Sequence, residues 1–249
     1  MLRIYIQERK VMIKIENVSK SFSTFDGKLD ALKNISLTIN DNSCTVISGE
    51  NGSGKSLLMS IIAGLEEADS GKIFTDKKIG FVFQDADTQI LGETPREDIA
   101  LGPQNLKLSK EEVDKAVEDA LEKTSLTHRA DYPSRFLSGG EKRRLAIACM
   151  LSMNLPVIIL DEPYANLDYS GVKQVNHLIK NLKKEEKTII ILTHEIEKCL
   201  ALADDFAVLY KGELVYHDSP ENALKQNLEQ WNIKNPLSSY KELKDFVWE

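Results

Sequence analysis

The chain has 249 residues, which is enough for one large domain or one and a half. Its hydrophobic content of 42% and charged content of 29% are ordinary for a globular protein, and its longest apolar runs are too short to cross a bilayer. A formal net charge of −7 argues against a general nucleic-acid binder, so no nucleic-acid partner is expected. The cysteines are odd in number and lie in apolar surroundings, which predicts buried, reduced thiols and a cytosolic compartment: Cys44, Cys149 and Cys199.

The first part of the chain, residues 12–48, has the alternating pattern of β-strands, with turns predicted at 26–27 and 40–42. Residues 1–11 are interpreted as an N-terminal extension from an upstream start. Three alternating apolar residues of this extension would equally allow it to pair as an edge strand: Leu2, Ile4 and Ile6.

The clearest motif is the stretch 49–56, which reads GENGSGKS and fits the phosphate-loop pattern. It lies between an apolar β-branched run, 44–48, and an apolar helical run, 57–63, so backbone N–H groups at this strand-to-helix turn can line an anion-sized concavity. Lys55 is placed to reach the β- and γ-phosphates of a nucleoside triphosphate, and Ser56 to ligate Mg²⁺. The alternative is a glycine-rich turn that only closes a βα unit, and the Lys-Ser pair argues against it. The candidate nucleotide-binding residues are Gly49, Asn51, Gly52, Ser53, Gly54, Lys55, Ser56 and Leu57.

Two single residues are further candidates for ligand binding. Phe22 lies between two predicted strands, where it could stack on an adenine ring, although core packing is the commoner role of a phenylalanine. Gln84 follows a predicted strand, 79–83, at the end where α/β sheets place ligands. Its amide oxygen can ligate a hard cation, and a surface glutamine in a loop is the alternative.

From residue 85 to residue 137 the pattern changes from strands to helices. Ser109 and Glu112 form a capping-box pattern before an amphipathic helix. The helical unit is therefore predicted to be an insertion between sheet strands. Its exposed faces would either hold a partner or remain solvated.

A second pair of glycines opens the helix that follows. Ser138 and Glu141 form another capping box, which a purely structural role explains. A structural role does not explain Gly139 and Gly140, because each glycine makes helix formation less favourable by roughly 1 kcal/mol. Since glycines at a helix N-terminus let the backbone approach a phosphate, Ser138, Gly139 and Gly140 form a second candidate anion site.

Two acidic residues follow the apolar strand predicted at 156–160. Adjacent carboxylates on a strand point to opposite sides, so Asp161 and Glu162 are expected to have different roles. Asp161 is predicted to hold Mg²⁺, and Glu162 to polarise the attacking water. Both would need partners after four buried residues, whereas acids at strand ends are often only solvated.

A histidine follows the next apolar strand, 188–193. A lone histidine in this position is more often structural than catalytic. His194, however, ends a strand with the same parallel pattern as the one that carries Asp161 and Glu162, which favours a role at the γ-phosphate. Asp168 is interpreted as a helix N-cap.

These motifs occur in the order and rough spacing of an ATP-binding-cassette (ABC) ATPase: 49–56, Gln84, 137–141, 158–162, Asp168 and His194. The resemblance covers residues 12 to about 224, and the Leu-Ser-Gly-Gly element is its most specific part. It implies an α/β fold with a P-loop NTPase core, which has a mostly parallel sheet and an antiparallel β subdomain, plus an inserted α-helical subdomain.

The resemblance also implies roles for single residues, with ATP and Mg²⁺ as cofactors. Phe22 becomes the adenine-stacking aromatic, Gln84 the link between Mg²⁺ and the helical subdomain, and His194 the γ-phosphate switch. Ser138, Gly139 and Gly140 would contact the γ-phosphate held by a second ATPase subunit, so that a two-fold dimer has two composite sites. The implied catalytic residues are Glu162, His194, Lys55 and Gln84, and the implied metal ligands are Ser56, Gln84 and Asp161.

A narrower resemblance, to the ATPase subunits of energy-coupling-factor importers for cobalt, nickel and B vitamins, rests on 83–90 and 97–106. In that group the segment after the glutamine contacts cytoplasmic helices of an integral membrane subunit, which implies a peripheral position on the cytoplasmic face of the cell membrane. The chain departs from the usual residues at four positions, none of them a catalytic group: Leu57, Ala86, Glu141 and Tyr164.

The predicted division of the chain is an extension at 1–11, an ATP-binding core at 12–84 and 138–218, a helical subdomain at 85–137 and a tail at 219–249. The aromatic residues of the tail predict docking on the domain or on a partner: Trp231, Tyr240, Phe246 and Trp248. The predicted function is ATP hydrolysis that energises an importer. The alternatives are another ABC transporter class, a soluble cassette outside transport and a nucleotide-binding module without turnover; the solute and the identity of the second subunit stay open.

Overall fold

The computed structural model describes residues 10–25 and 27–238. The expectations for Leu2, Ile4, Ile6 and Asp26, and for the tail residues Tyr240, Phe246 and Trp248, lie outside these ranges. An antiparallel three-stranded sheet has the order β2-β1-β4, with β1 at Val11–Thr24, β2 at Gly27–Asn40 and β4 at Ser70–Phe74. The strands β1 and β2 form one long hairpin, which is more extensive than the two short strands predicted from alternation.

The second sheet has six strands in the order β5-β6-β7-β3-β8-β9. The first five run parallel and β9 is antiparallel to β8. Three central strands are buried along their whole length, as their continuous apolar sequences require. Their carboxyl ends therefore meet at one edge of the sheet. The strands are β3 Cys44–Ser48, β5 Ile79–Val82, β6 Val157–Asp161, β7 Thr188–Leu192, β8 Asp205–Tyr210 and β9 Glu213–Asp218.

Within the described ranges six α-helices surround the sheets: α1 Lys55–Ile62, α2 Pro95–Asn105, α3 Lys110–Lys123, α4 Gly139–Ser152, α5 Tyr169–Lys184 and α6 Pro220–Ala223. Helices α2, α3 and α4 share an apolar cluster of their own, which includes Ile99, Leu121 and Leu145. Both predicted capping boxes are present, Ser109 with Glu112 and Ser138 with Glu141.

Several local predictions can be compared with the structure. The strand predicted at 79–83 ends at Val82, because the side chain of Gln89 takes the hydrogen bonds of the strand edge: Phe83 N donates to Gln89 Oε1 at 2.7 Å, and Gln89 Nε2 donates to Phe81 O at 2.8 Å.

Trp231 packs on Tyr216 with ring centroids 5.6 Å apart, so this part of the tail docks on the domain. The three cysteines are free thiols. Throughout 10–25 and 27–238, every helix is too short or too polar to span a bilayer.

Candidate functional site

The stretch 49–56 forms the turn between β3 and α1. Gly52 and Gly54 have φ of 80° and 100°, conformations that favour glycine. A Cβ atom on Gly49 would lie 2.0 Å from the carbonyl oxygen of Leu209, so the loop packs directly on β8 and tolerates no side chain there. The hydroxyl oxygen of Ser53 is buried and accepts or donates no hydrogen bond within the described chain, which leaves it available inside the loop. This is the strand–loop–helix geometry of a phosphate site.

Lys55 begins α1 and turns its ammonium group back into the loop. Its Nζ atom donates to the carbonyl oxygens of Gly49 at 2.8 Å and Glu50 at 3.0 Å. Burial lowers the pKa of Lys55, and the neighbouring carboxylates of Glu162 and Asp161 oppose that shift. A cation held in this way lies at the centre of the loop, where it can meet phosphate oxygens.

One cavity of about 450 Å³ brings together most of the predicted nucleotide and metal residues. It is lined by Ala31, Asn51, Gly52, Gly54, Lys55, Ser56, Leu57, Gln84, Asp161 and Glu162. Asp161 ends β6 and Gln84 follows β5, the neighbouring strand, so the sheet itself places the two side chains at one edge. The grouping predicted from separate stretches of sequence is therefore present in space.

The residues predicted to bind Mg²⁺ fit a hard cation. Asp161 is buried, its Oδ1 atom lacks a hydrogen bond in the described ranges, and Ser56 lines the same cavity. Burial raises the pKa of Asp161, so the chain bears the cost of desolvating this carboxylate. With the amide of Gln84 in the same cavity, the set offers only oxygen ligands, which Mg²⁺ prefers.

The Asp161→Asn variant is expected to be more stable than the natural chain without nucleotide, and less active. An amide of the same shape needs no charge to be desolvated, so we expect a gain of roughly 1 kcal/mol and a melting temperature about 2–4 °C higher. The difference should shrink as the pH falls through the raised pKa of Asp161, because protonation relieves the natural chain of the same cost. Thermal unfolding between pH 4 and 8 measures it, with the exposed Asp119→Asn as the control. A lower melting temperature for Asp161→Asn would contradict the assignment.

Glu162 lies just beyond the end of β6 and is 4% exposed. Alternation along a strand predicts that it points away from Asp161, but Glu162 lies outside the strand, and both residues line the same cavity. The reason is the backbone: Glu162 has φ of 46°, a left-handed conformation that turns it out of the strand. Its N–H donates to the carbonyl oxygen of Leu192 at 2.9 Å, which ties this turn to β7.

The carboxylate of Glu162 is held by two consecutive residues after β7. Its Oε2 atom accepts from the hydroxyl of Thr193 at 3.0 Å. Its Oε1 atom lies 2.9 Å from Nδ1 of His194 and accepts from the His194 N–H at 3.3 Å. A carboxylate at Nδ1 favours a proton on that nitrogen and leaves Nε2 of this half-exposed ring facing outward. The structure thus brings His194 to the predicted base.

Two predicted residues lie apart from the cavity lining. Phe22 pairs with Leu29 in the long hairpin and is 40% exposed, so it lies outside the buried core, and Nζ of Lys20 lies over its ring, 5.4 Å from the centroid. Ser138 is exposed at the N-terminus of α4, where Glu141 Oε2 accepts its N–H at 2.8 Å. A Cβ atom added to Gly139 would meet no described atom within 4 Å, so this second anion site opens to solvent rather than to the chain's own phosphate loop.

Sequence reasoning missed Arg143, which the structure buries beneath the site. It donates to the carbonyl oxygens of Glu162 at 2.6 Å and Gln84 at 2.9 Å. The signal that could have revealed it is helical spacing, since Arg143 shares the buried face of α4 with Ala146 and Ile147. Thr193, which orients Glu162, was also missed as a site residue.

These features define a class of protein, the phosphate-loop nucleoside triphosphatases, in which a P-loop and the acids of neighbouring parallel strands share one edge of the sheet. The family model for the ABC transporter matches residues 32–165. The chain belongs to this family and is an ABC ATPase, so the predicted family, fold and enzyme class are confirmed.

Similar proteins support the same assignment. The energy-coupling factor transporter ATP-binding protein EcfA of Carboxydothermus hydrogenoformans is 39% identical over 239 residues, which cover 90% of this chain and 87% of the relative. The structure of cbiO1 from Clostridium perfringens, part of the ABC transporter complex cbiONQ, has a TM-score of 0.77 at 33% identity and covers 91% of this chain and 96% of that one. A dimeric ATP-binding cassette in a post-hydrolysis state bound to ADP and Pi has a TM-score of 0.77 at 30% identity, covering 84% of this chain and 99% of that one.

Proposed function

We propose that the chain is the ATP-hydrolysing subunit of a membrane importer of the energy-coupling-factor type, which takes up vitamins or metal ions. The observation that carries the proposal is that the two anion sites of the chain are separate. The lining of the P-loop cavity does not include Ser138 or Gly139, and both of these residues are exposed to solvent. The sequence similarity to a relative named as an energy-coupling factor protein supports the importer type.

In this proposal different residues of the chain bind ATP, hold Mg²⁺ and activate the attacking water. The P-loop amides and Lys55 bind the β- and γ-phosphates, and Phe22 stacks on the adenine. Ser56, Asp161 and Gln84 hold Mg²⁺, which neutralises charge on the phosphates. Glu162 takes a proton from the attacking water, and the outward Nε2 of His194 contacts the γ-phosphate while Glu162 holds its Nδ1.

The second anion site serves a second copy of the chain. Every chain carries a P-loop, the acids and the Ser138–Gly140 turn, so two copies related by a two-fold axis can form two complete sites. The turn of one copy then covers the γ-phosphate bound by the other. A companion cassette of different sequence is the alternative partner.

A groove beside the helical segment is the proposed docking surface for an integral membrane subunit, which places the chain on the cytoplasmic face of the membrane. The groove has a volume of about 460 Å³ and is formed by 87–94 and 133–135, with Ile90 and Pro133 among its lining residues. Leu91 is 80% exposed and Phe136 62% exposed beside it. Exposed apolar side chains around a groove that follows Gln84 suit an apolar partner helix.

The Leu91→Asp variant tests this docking surface. When the tagged chain is purified from detergent-solubilised membranes, the natural chain should carry integral membrane subunits with it, and Leu91→Asp should lose most of them, because a buried charge destabilises an apolar contact. ATP binding should not change. Leu65→Asp, at another exposed leucine, is the control and should retain the subunits. Purification of the natural chain without any membrane protein would instead favour a cassette outside transport.

A further inference from the structure

Arg143 links three parts of the chain that are distant in sequence. It lies five residues after Ser138, on the first turns of α4, or about 7.5 Å along the helix axis. Its guanidinium donates one hydrogen bond to the backbone of Glu162 and one to the backbone of Gln84. The helix that begins at the exposed Ser138 is therefore bonded to the base and to a cation ligand of its own chain's cavity.

The bond to Glu162 falls on a strained residue. A left-handed φ is unfavourable for a glutamate and persists only where the surroundings fix it. Here the N–H of Glu162 is held by Leu192 O, and its carbonyl oxygen by Arg143 at 2.6 Å, the length of a strong charge-assisted hydrogen bond. Because this backbone turn sets the direction in which the Glu162 side chain leaves the end of β6, Arg143 bears on the position of the base.

The bond to Gln84 acts on another residue that lines the same cavity. The carbonyl oxygen of Gln84 accepts from Arg143 at 2.9 Å, just beyond the point where the Gln89 side chain closes the edge of β5. The guanidinium is buried, and desolvation lowers its pKa, so holding it in place is costly. A movement of α4 would therefore be transmitted to Glu162 and to Gln84 through this rigid, planar guanidinium group.

We propose that Arg143 is a positioning residue that couples the two ATP sites of the dimer. It fixes Glu162 and Gln84 of its own site relative to the helix whose N-terminus covers the partner's γ-phosphate. The inference rests on the proposed two-chain function. When the dimer closes on the ATP bound at one site, Arg143 aligns Glu162 at the other site. ATP hydrolysis is then positively cooperative with respect to ATP concentration.

The Arg143→Gln variant tests the coupling by steady-state ATPase assays over a range of ATP concentrations. We expect kcat to fall roughly 10- to 100-fold, because Glu162 is no longer held in position, while the Kd of the isolated chain for ATP is unchanged. The Hill coefficient should fall from above one to about one. Arg143→Lys, which keeps a charged donor, should recover part of kcat. The control is Arg96→Gln, at a partly exposed arginine paired with Asp131 and Glu118, which should match the natural chain in both quantities.

Four results distinguish the coupling by Arg143 from the two-chain function. A natural kcat and Hill coefficient in Arg143→Gln would overturn the coupling. If Arg143→Gln unfolds, Arg143→Lys takes its place, and a natural Hill coefficient together with a natural kcat in that variant would overturn the coupling equally. A chain that stays active with Ser138→Arg would refute the two-chain function itself, whereas an inactive Ser138→Arg beside an unchanged Arg143→Gln would refute only the role of Arg143.

Discussion

The Glu162→Gln variant is expected to hydrolyse ATP roughly 10²–10⁴-fold more slowly than the natural chain, which is the usual contribution of a positioned general base. The amide keeps the shape of the side chain: its oxygen can still accept from the His194 N–H, and its NH₂ group can donate to the hydroxyl oxygen of Thr193, so the fold of the site should survive. It cannot take a proton from water. Phosphate release under saturating ATP measures the loss.

Binding separates this loss from damage to the nucleotide site. The Kd for ATP should stay within a few-fold of the natural value, because the P-loop and Lys55, not Glu162, hold the phosphates. Glu197→Gln, at an exposed acid after β7, is the matched control and should hydrolyse ATP normally. Hydrolysis at the natural rate by Glu162→Gln would remove Glu162 from the mechanism.

The Ser138→Arg variant is expected to abolish hydrolysis while the isolated chain binds ATP as before. Ser138 is exposed and is not among the residues that line its own P-loop cavity, so a long cationic side chain there should obstruct the surface offered to a second chain. Hydrolysis and equilibrium ATP binding should therefore respond differently. An equal loss of ATP affinity in the isolated chain would show that Ser138 acts within its own site.

The helix cap provides a matched control for Ser138. Replacing the serine also removes an N-cap, which costs roughly 1 kcal/mol. Ser109 caps α3 with the same capping box and the same exposure, so Ser109→Arg removes an equivalent cap. It should lower thermal stability by a similar amount and leave hydrolysis intact. Loss of activity in both variants would attribute the effect to stability alone.

Local sequence patterns predicted the parts of the site that local chemistry determines. The P-loop could be recognised because its glycines and the Lys-Ser pair occupy a strand-to-helix turn, and Asp161 because a fully apolar strand delivers it to a sheet edge. The two capping boxes follow from the side chains of neighbouring residues alone. Parallel strands then brought Gln84 and Asp161 together without any local signal linking them.

The remaining features depend on tertiary contacts. The left-handed turn at Glu162 is held by hydrogen bonds with Leu192 and Arg143, which are distant in sequence, so strand alternation does not extend to this residue. Arg143 stands in a run of basic residues that resembles a solvated helix face, and its burial shows only when α4 packs on the sheet. Gln89 ends a strand that precedes it in the chain, by side-chain bonds that no propensity describes.

If one chain binds the triphosphate and another chain covers it, mixing two inactive variants should restore ATP hydrolysis. Lys55→Ala removes the phosphate-binding cation, and Ser138→Arg blocks the covering turn, so each variant alone should be inactive. In an equal mixture half of the dimers pair one of each and contain one intact site, so hydrolysis should recover to at most about a quarter of the natural activity. A mixture that remains as inactive as its components would refute the shared site.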